Sequence, residues 1–190
     1  MIVGFVGRSG AGKNEAAWGL TSMDTDRWHE LSFAEPLKRA VMIMFGLSSE
    51  QVFDELREVV DPRWGLTPRF ILRRVGTEVA REVHPNVWVQ NLEERMREHL
   101  AKGQHIAVTD VRFLNEAAML REWGAFLIRI IRPGVSDNPH SSEQEQDQIE
   151  CDMGIANAGT LEELYQSVRD GVRELHALRE GSAEPAGSGT

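Results

Sequence analysis

A glycine-rich loop between an apolar segment and a helix-like segment constrains this chain more than any other feature of its sequence. Residues 2–6 read IVGFV, and the loop GRSGAGK follows directly at residues 7–13. The apolar, β-branched composition of residues 2–6 predicts a strand buried on both faces, and we expect it to be the central strand of a parallel sheet. A strand, a glycine loop ending in lysine and a helix, in this order, are typical of a phosphate-binding loop.

The chemistry of such a loop depends on its glycines, which let backbone amides converge on phosphate oxygens. The helix N-terminus and the lysine ammonium group add positive potential. The alternative is a glycine-rich turn with an exposed lysine. The candidate phosphate-binding residues are Gly7, Ser9, Gly10, Ala11, Gly12, Lys13, Asn14 and Glu15. The standard pattern continues with Ser or Thr as a magnesium ligand. Asn14 stands there instead, and its amide oxygen could ligate Mg²⁺ directly or through water.

The rest of the chain alternates between predicted β-strands and predicted α-helices. Apolar runs predict further strands at residues 29–33, 105–109, 126–131 and 153–156, and helices are predicted at 13–20, 36–45, 49–57, 68–83, 87–101, 115–123 and 161–178. The last helix has one apolar face, and Thr160 and Glu163 form a predicted capping box at its start. This alternation predicts an α/β fold with a parallel sheet wrapped by helices.

The length of 190 residues, of which 41% are apolar, predicts a single domain over residues 1–180. Residues 49–103 form a predicted helical insertion, longer than a simple crossover needs and a common place for substrate contacts. The polar composition of residues 133–148 predicts a mobile lid loop, and that of residues 181–190 a disordered tail.

Composition excludes several classes of partner. A formal net charge of −9 argues against a surface for nucleic-acid polymers, although not against a small phosphate pocket. Cys151, the single cysteine, has no partner for an internal disulfide, which fits a reducing cytoplasm. The longest apolar stretch, residues 40–45, is too short to cross a bilayer, and no secretory leader is visible. We therefore expect no membrane partner.

Charged and aromatic residues after the first helices suggest further site residues. Asp110 and Arg112 follow a predicted strand at the edge where open α/β sheets bind ligands, and the alternative for them is a structural ion pair. Arg69, Arg73 and Arg74 lie at the start of a predicted helix, either as a phosphate clamp or as a solvated basic face. Trp88 could stack on a base or simply pack in a core.

Seven segments, in order along the chain, resemble the phage-type deoxynucleoside monophosphate kinases, a branch of the P-loop nucleotide kinases. They are residues 7–13, 33–38, Arg69 with 76–78, 87–89, 110–112 with Glu116, 132–134 and 157–164. The resemblance implies an α/β P-loop kinase fold of three layers, with a central, mainly parallel sheet, a helical substrate-binding insertion and a short lid loop.

The resemblance also implies roles for individual residues. The implied deoxynucleotide acceptor site comprises Leu37, Lys38, Arg69, Gly76, Thr77, Trp88, Asp110, Arg112 and Glu116. Arg132 looks like a lid arginine that reaches the donor, and Asn157 occupies the place of an adenine-contacting loop. Lys13, Asp110, Arg112 and Arg132 are then the catalytic candidates, with Asn14 and Asp110 as candidate metal ligands. The family usually has Asp and Thr after the loop lysine, so Asn14 and Glu15 are departures that bear on metal affinity.

The activity implied by the resemblance is transfer of the γ-phosphoryl group of ATP to a deoxynucleoside monophosphate, with Mg²⁺ as cofactor. It would supply DNA precursors, in the host cytoplasm if the chain is phage-encoded, and a homo-oligomer, dimer or tetramer, is expected. Another small-molecule P-loop kinase, such as one acting on dephospho-coenzyme A, and a nucleotide-hydrolysing switch are the alternatives. The sequence leaves open which bases are accepted and whether ribonucleotides are excluded.

Overall fold

The computed structural model describes residues 1–135 and 145–181. Most of the predicted lid loop, residues 136–144, and the predicted tail from residue 182 onward lie outside the described residues. The described chain divides into two compact units. Residues 1–30, together with those from 99 onward, form what is called here the sheet unit, and residues 31–98 form the helical unit.

A five-stranded sheet carries the fold. Its strands are β1 (Ile2–Val6), β2 (Trp28–Leu31), β3 (His105–Val111), β4 (Phe126–Ile131) and β5 (Met153–Ala156), in the spatial order β2-β3-β1-β4-β5. β1 pairs in parallel with β3 and β4, and β4 in parallel with β5. Every residue of β1 is buried, which confirms it as the central strand.

Helices cover both faces of the sheet in the sheet unit. They are α1 (Lys13–Thr21), α7 (Leu114–Glu122) and α8 (Leu161–Gly181). Val3 and Phe5 of β1 belong to one core cluster with residues of α1 and α8, such as Leu20 and Val168. Gly4, which alternates to the opposite face, lies against Leu120 of α7. This helix–sheet–helix arrangement is the predicted three-layer α/β fold.

The predicted capping box of the last helix is confirmed. The Thr160 amide donates to Glu163 Oε2 at 2.7 Å, and the Glu163 amide donates to Thr160 Oγ1 at 3.3 Å. Of the predicted apolar face, Leu164, Val168, Val172 and Leu175 are buried. Leu161 is 54% exposed because it occupies the first position of the helix.

The helical unit is built from short elements around a small core. They are α2 (Ala34–Phe45), α3 (Ser49–Phe53), a 3₁₀ turn (Glu55–Glu58), α4 (Pro68–Arg73), a π-helical turn (Arg74–Val79), α5 (Ala80–Val83) and all but the last two residues of α6 (Val87–Leu100). Val41, Leu47, Val52 and Ile71 form the core. No helix in the described part of the chain is long and apolar enough to span a membrane.

Two predicted helices differ from the observed ones. The predicted helix 49–57 breaks at Asp54, whose extended backbone separates α3 from the 3₁₀ turn. The predicted helix 68–83 is helical throughout, but its middle, Arg74–Val79, widens into a π-helix. Periodicity alone does not reveal this π-helical turn, because its wider i→i+5 hydrogen bonding is confined to one short stretch between α-helical segments.

Candidate functional site

The glycine loop has the backbone that its sequence predicts. Gly7, Gly10 and Gly12 have φ values of 148°, 82° and 99°, which L side chains rarely adopt. A Cβ atom on Gly7 would lie 2.5 Å from the carbonyl oxygen of Ile130. One on Gly12 would collide with the side-chain amide of Asn157. The loop therefore requires glycine both for its conformation and for its close contact with the neighbouring strands.

Lys13 opens α1 and is 7% exposed. Its ammonium group donates to the carbonyl oxygens of Gly7 and Arg8, the latter at 2.9 Å. These contacts draw the side chain back across the loop, at the positive end of the helix. The alternative of an exposed lysine on a glycine turn is therefore wrong.

Asn157 connects the end of β5 to the same loop. Its side chain is 9% exposed, and its Nδ2 donates to the carbonyl oxygen of Ala11 at 2.9 Å. The contact joins residues 146 positions apart and holds the loop backbone at Ala11. The family resemblance implies a base contact for Asn157, and no local sequence signal indicates this bond with the loop.

Asn14 and Glu15 are exposed on the first turn of α1. Together with Trp18 and Glu30 they line an open cavity of about 390 Å³. The Glu15 carboxylate accepts a hydrogen bond from the Tyr165 hydroxyl at 2.8 Å, and this contact raises the pKa of Tyr165. Tyr165 of α8 thus fixes the direction of the Glu15 side chain.

The donor set is compatible with a magnesium ion. Among the described residues there is no group of three His, Cys, Asp or Glu side chains that could hold a metal. Mg²⁺ in kinase sites takes few protein ligands, because water and substrate phosphates supply the others. The amide of Asn14 and the carboxylate of Asp110 are ligands of the type that Mg²⁺ prefers, so the residues present fit such an ion.

The carboxyl end of β3 contains an irregularity at the candidate catalytic residues. Gly4 pairs with Val108 and Val6 with Val111, so β3 advances three residues where β1 advances two. The extra residue forms a bulge at Thr109 and Asp110. Bulges twist a strand and redirect its side chains, and they are frequent beside active sites. Asp110 is half-buried, and Arg112 is exposed immediately after the strand.

Glu116 lies in the first turn of α7, which follows this strand, and is 2% exposed. Its Oε2 accepts from the backbone amides of Arg112 at 2.8 Å and Phe113 at 3.1 Å. The carboxylate therefore caps the N-terminus of α7 and holds the backbone at Arg112. An acidic residue in the first turn is the sequence signal typical of such a cap, and Glu116 is three positions after the observed N-cap, Phe113, although the sequence predicts a helix start at residue 115.

In the helical unit, four of the predicted acceptor residues lie in or next to the π-helical turn. The Trp88 indole nitrogen donates to the carbonyl oxygen of Gly76 at 2.9 Å. Gly76 is buried, and a Cβ atom there would collide with the side chain of Leu37. Thr77, next in the turn, is half-buried. Trp88 is thus a half-buried residue with a polar contact, and not only a core side chain.

Three cationic side chains of the helical unit contact aromatic or acidic neighbours. Lys38 Nζ is 4.5 Å from the centre of the Phe53 ring, and Arg69 pairs with Glu58 at 2.7 Å. Arg74 pairs with Glu78 one turn along the helix, on an exposed surface, which favours a solvated basic face for that arginine.

Arg132 follows β4 and is exposed. It is the last predicted catalytic residue before the segment that is not described. The structure therefore places two groups of predicted residues, one in each unit. The sheet unit holds the loop, Asp110, Arg112, Glu116, Arg132 and Asn157, and the helical unit holds Leu37, Lys38, Arg69, Gly76, Thr77 and Trp88.

The chain is similar to known proteins in both structure and sequence. A dephospho-CoA kinase from Campylobacter jejuni superposes with a TM-score of 0.49 and 16% identity, covering 91% of this chain and 96% of that chain. A protein assigned as a deoxynucleotide monophosphate kinase in Acanthamoeba polyphaga mimivirus is 38% identical over 183 residues, 88% of this chain and 94% of its own.

Further similarity is found with phage proteins. The deoxynucleotide monophosphate kinase of Escherichia phage RB69 is 28% identical over 127 residues, which are 64% of this chain and 51% of the phage protein. Residues 48–168 match the family described as deoxynucleotide monophosphate kinase. The matched range includes residues of both units.

Proposed function

This chain belongs to the deoxynucleotide monophosphate kinase family, and from that premise we propose which of its residues bind the two substrates. The enzyme transfers a phosphoryl group from ATP to a deoxynucleoside monophosphate and releases ADP and the deoxynucleoside diphosphate. We assign the donor to the sheet unit and the acceptor monophosphate to the helical unit. The observation that carries the donor assignment is the loop of residues 7–13 with its buried lysine.

The donor phosphates bind the loop amides and the ammonium group of Lys13. Carbonyl oxygens orient that group without cancelling its formal charge, so its positive charge stays available to the β- and γ-phosphates. Asn157 keeps the loop backbone in place through Ala11. Arg132 adds a cation to the donor side.

Asn14 and Asp110 would hold Mg²⁺, directly or through water. When bound, the ion neutralises charge on the donor phosphates. The chain's own side chains orient the reactants and stabilise the developing charge. Asp110 orients the acceptor or the water molecules of the site, and Arg112 neutralises the charge that develops on the transferred group. The bulge and Glu116 keep these two residues in position.

The acceptor phosphate binds Arg69 and Lys38, whose cations are partly exposed on the helical unit. Trp88, with its indole fixed by Gly76, and the neighbouring Leu37 and Thr77 contact the nucleoside. A fixed indole offers a flat apolar surface without a large entropic cost on binding.

We further propose that the enzyme acts in the cytoplasm and as a homo-oligomer. The single cysteine and the use of ATP fit a cytoplasmic location. The five tryptophans and the resemblance to this family support a homo-oligomer. Light scattering that gives the mass of one chain would contradict the oligomer.

A magnesium-dependent ADP-release assay tests the function. ATP is combined with each deoxynucleoside monophosphate, with each ribonucleotide counterpart, with dephospho-coenzyme A, and with no acceptor. We expect ADP with the deoxynucleotides, together with the matching diphosphate, and the ribonucleotide reactions measure the sugar selectivity that the sequence leaves open. ADP release in the absence of any acceptor would indicate a hydrolysing switch, and turnover with dephospho-coenzyme A alone would indicate a different small-molecule kinase.

A further inference from the structure

A short segment at residues 145–149 contacts three parts of the candidate site in the sheet unit. Glu145 accepts from the amide of Leu114, at the start of α7, at 3.5 Å. The Gln146 side chain donates to the Val111 carbonyl oxygen, at the end of β3, at 2.9 Å. Asp147 forms an ion pair at 3.1 Å with Arg8 of the glycine loop. Consecutive side chains thus reach a helix start, a strand end and the phosphate loop.

The centre of this segment is firmly held. Gln146 is 2% exposed, which is rare for a glutamine side chain. The Arg129 guanidinium, from β4, donates to the backbone oxygens of Gln146 at 3.1 Å and Ile149 at 2.6 Å. Ile149 is itself buried. The amide of Gln146 is therefore presented to β3 from a fixed support.

The contact point lies directly beyond the β3 bulge. Val111 is the residue at which pairing with β1 resumes, and it separates the two proposed catalytic residues, Asp110 and Arg112. A bulge leaves a residue out of the regular ladder, so the strand there depends on other contacts for its position. The Gln146 amide supplies one, to the backbone on the carboxyl side of the bulge.

We propose that Gln146 is a positioning residue for phosphoryl transfer, which acts through the Val111 carbonyl group to fix the directions of Asp110 and Arg112. The inference rests on the proposed roles of those two residues. Gln146 is 2% exposed and its amide is bonded to the backbone, so the proposed role needs no contact with either substrate. Its effect arises because the reaction rate is sensitive to displacements of reacting groups by about 1 Å.

The test compares Q146L with the matched variant Q148L. Leucine keeps much of the glutamine volume but donates no hydrogen bond, and Gln148 is an exposed glutamine two residues away. For Q146L we expect kcat to fall about tenfold to a hundredfold, with both KM values changed by less than about threefold. Q148L should behave like the wild type. Each rate is measured well below the variant's melting temperature and divided by the folded fraction.

The variant Q146E keeps the shape of the side chain and provides a second test if Q146L does not fold. Its introduced carboxyl group donates to the Val111 oxygen only when it is protonated. The ratio of its kcat to that of the wild type should therefore rise as the pH falls from about 7.5 to about 5.5. A role confined to stability would keep this ratio, taken per folded enzyme, at one throughout the range.

The outcomes separate the two proposals. The role of Gln146 would be overturned, and the function left intact, if the wild type transferred the phosphoryl group and Q146L kept the wild-type kcat. An equal loss in Q148L, or a wild-type kcat for Q146E across the pH range, would overturn it as well. If the wild type transferred no phosphoryl group to any deoxynucleotide, the proposed function would be overturned and this inference with it.

Discussion

Two buried charged residues, Lys13 and Glu116, show how single side chains prepare the sheet unit for a phosphate ligand. The Lys13 ammonium group is bonded to two backbone carbonyl groups, and the Glu116 carboxylate to two backbone amides. Charged groups lose hydration when buried, and backbone dipoles replace part of it. The backbone contacts therefore orient both charges before any substrate is present.

The charge of Lys13 is tested by K13M, which keeps the apolar stem of the side chain. We expect kcat/KM for ATP to fall by about 10²- to 10³-fold, because one charge-stabilising donor to the transferred phosphate is lost. Thermal unfolding should change little. K102M, at an exposed turn, is the matched control and should retain full activity. Normal turnover by K13M would contradict the phosphate-loop assignment.

Among the elements, the π-helical turn Arg74–Val79 carries two of the residues proposed for the acceptor, Gly76 and Thr77. π-helical turns are rare and concentrate at functional sites, because they displace backbone groups from the regular helical ladder. Here the Gly76 carbonyl oxygen accepts from Trp88, which starts the next long helix. The turn thus links the end of one helix to the beginning of another.

The role of that link is tested by W88F, which keeps an aromatic ring but loses the indole donor. We expect the acceptor KM to rise about fivefold to tenfold, the equivalent of one hydrogen bond, while the KM for ATP stays unchanged. W64F is a matched control, because Trp64 also donates to a carbonyl oxygen, that of Phe45, at 3.0 Å. It should affect melting temperature only. Equal rises of both KM values in W88F, with a lower melting temperature, would support a purely structural role.

For the molecule as a whole, stability should depend on pH through His105. Burial, the nearby amino-terminal ammonium group and Arg27 lower the pKa of His105 to about 4. Arg27 Nε also donates to its Nε2 at 2.8 Å, a contact that requires an unprotonated ring nitrogen. The folded chain therefore binds fewer protons than the unfolded chain below the ordinary histidine pKa of about 6.5.

The free energy of unfolding should consequently fall as the pH is lowered from about 6.5 toward about 4. Denaturant titrations at several pH values measure this slope, and H105Q should flatten it. Arg63 and Gln51 hold the pKa of Asp61 far below its usual range, so its contribution is lost only in more acidic solution. Because the amino-terminal group and Glu163 also have lowered pKa values, the difference between the wild-type and H105Q slopes, and not either slope alone, reports the histidine. An identical slope in H105Q would contradict the prediction.

Much of this fold and part of the site are predictable from short stretches of sequence. The strands at Phe126–Ile131 and Met153–Ala156 have their predicted bounds, and the capping box at Thr160 is present as predicted. The glycine loop has the positive φ angles that its composition suggests. These features depend on residues within about one helical turn of each other, so the local sequence contains the interactions that form them.

Other features depend on contacts between distant parts of the chain. The bond from Asn157 to Ala11, the bond from Gln146 to Val111 and the bulge in β3 each join segments that are far apart in sequence. Their formation depends on which strands pair, in which register, and on which polar groups burial leaves in need of a partner. The sequence by itself determined the local elements and the phosphate loop. Only the tertiary structure decided how Asp110, Arg112 and the loop are held, because that support comes from residues brought together by folding.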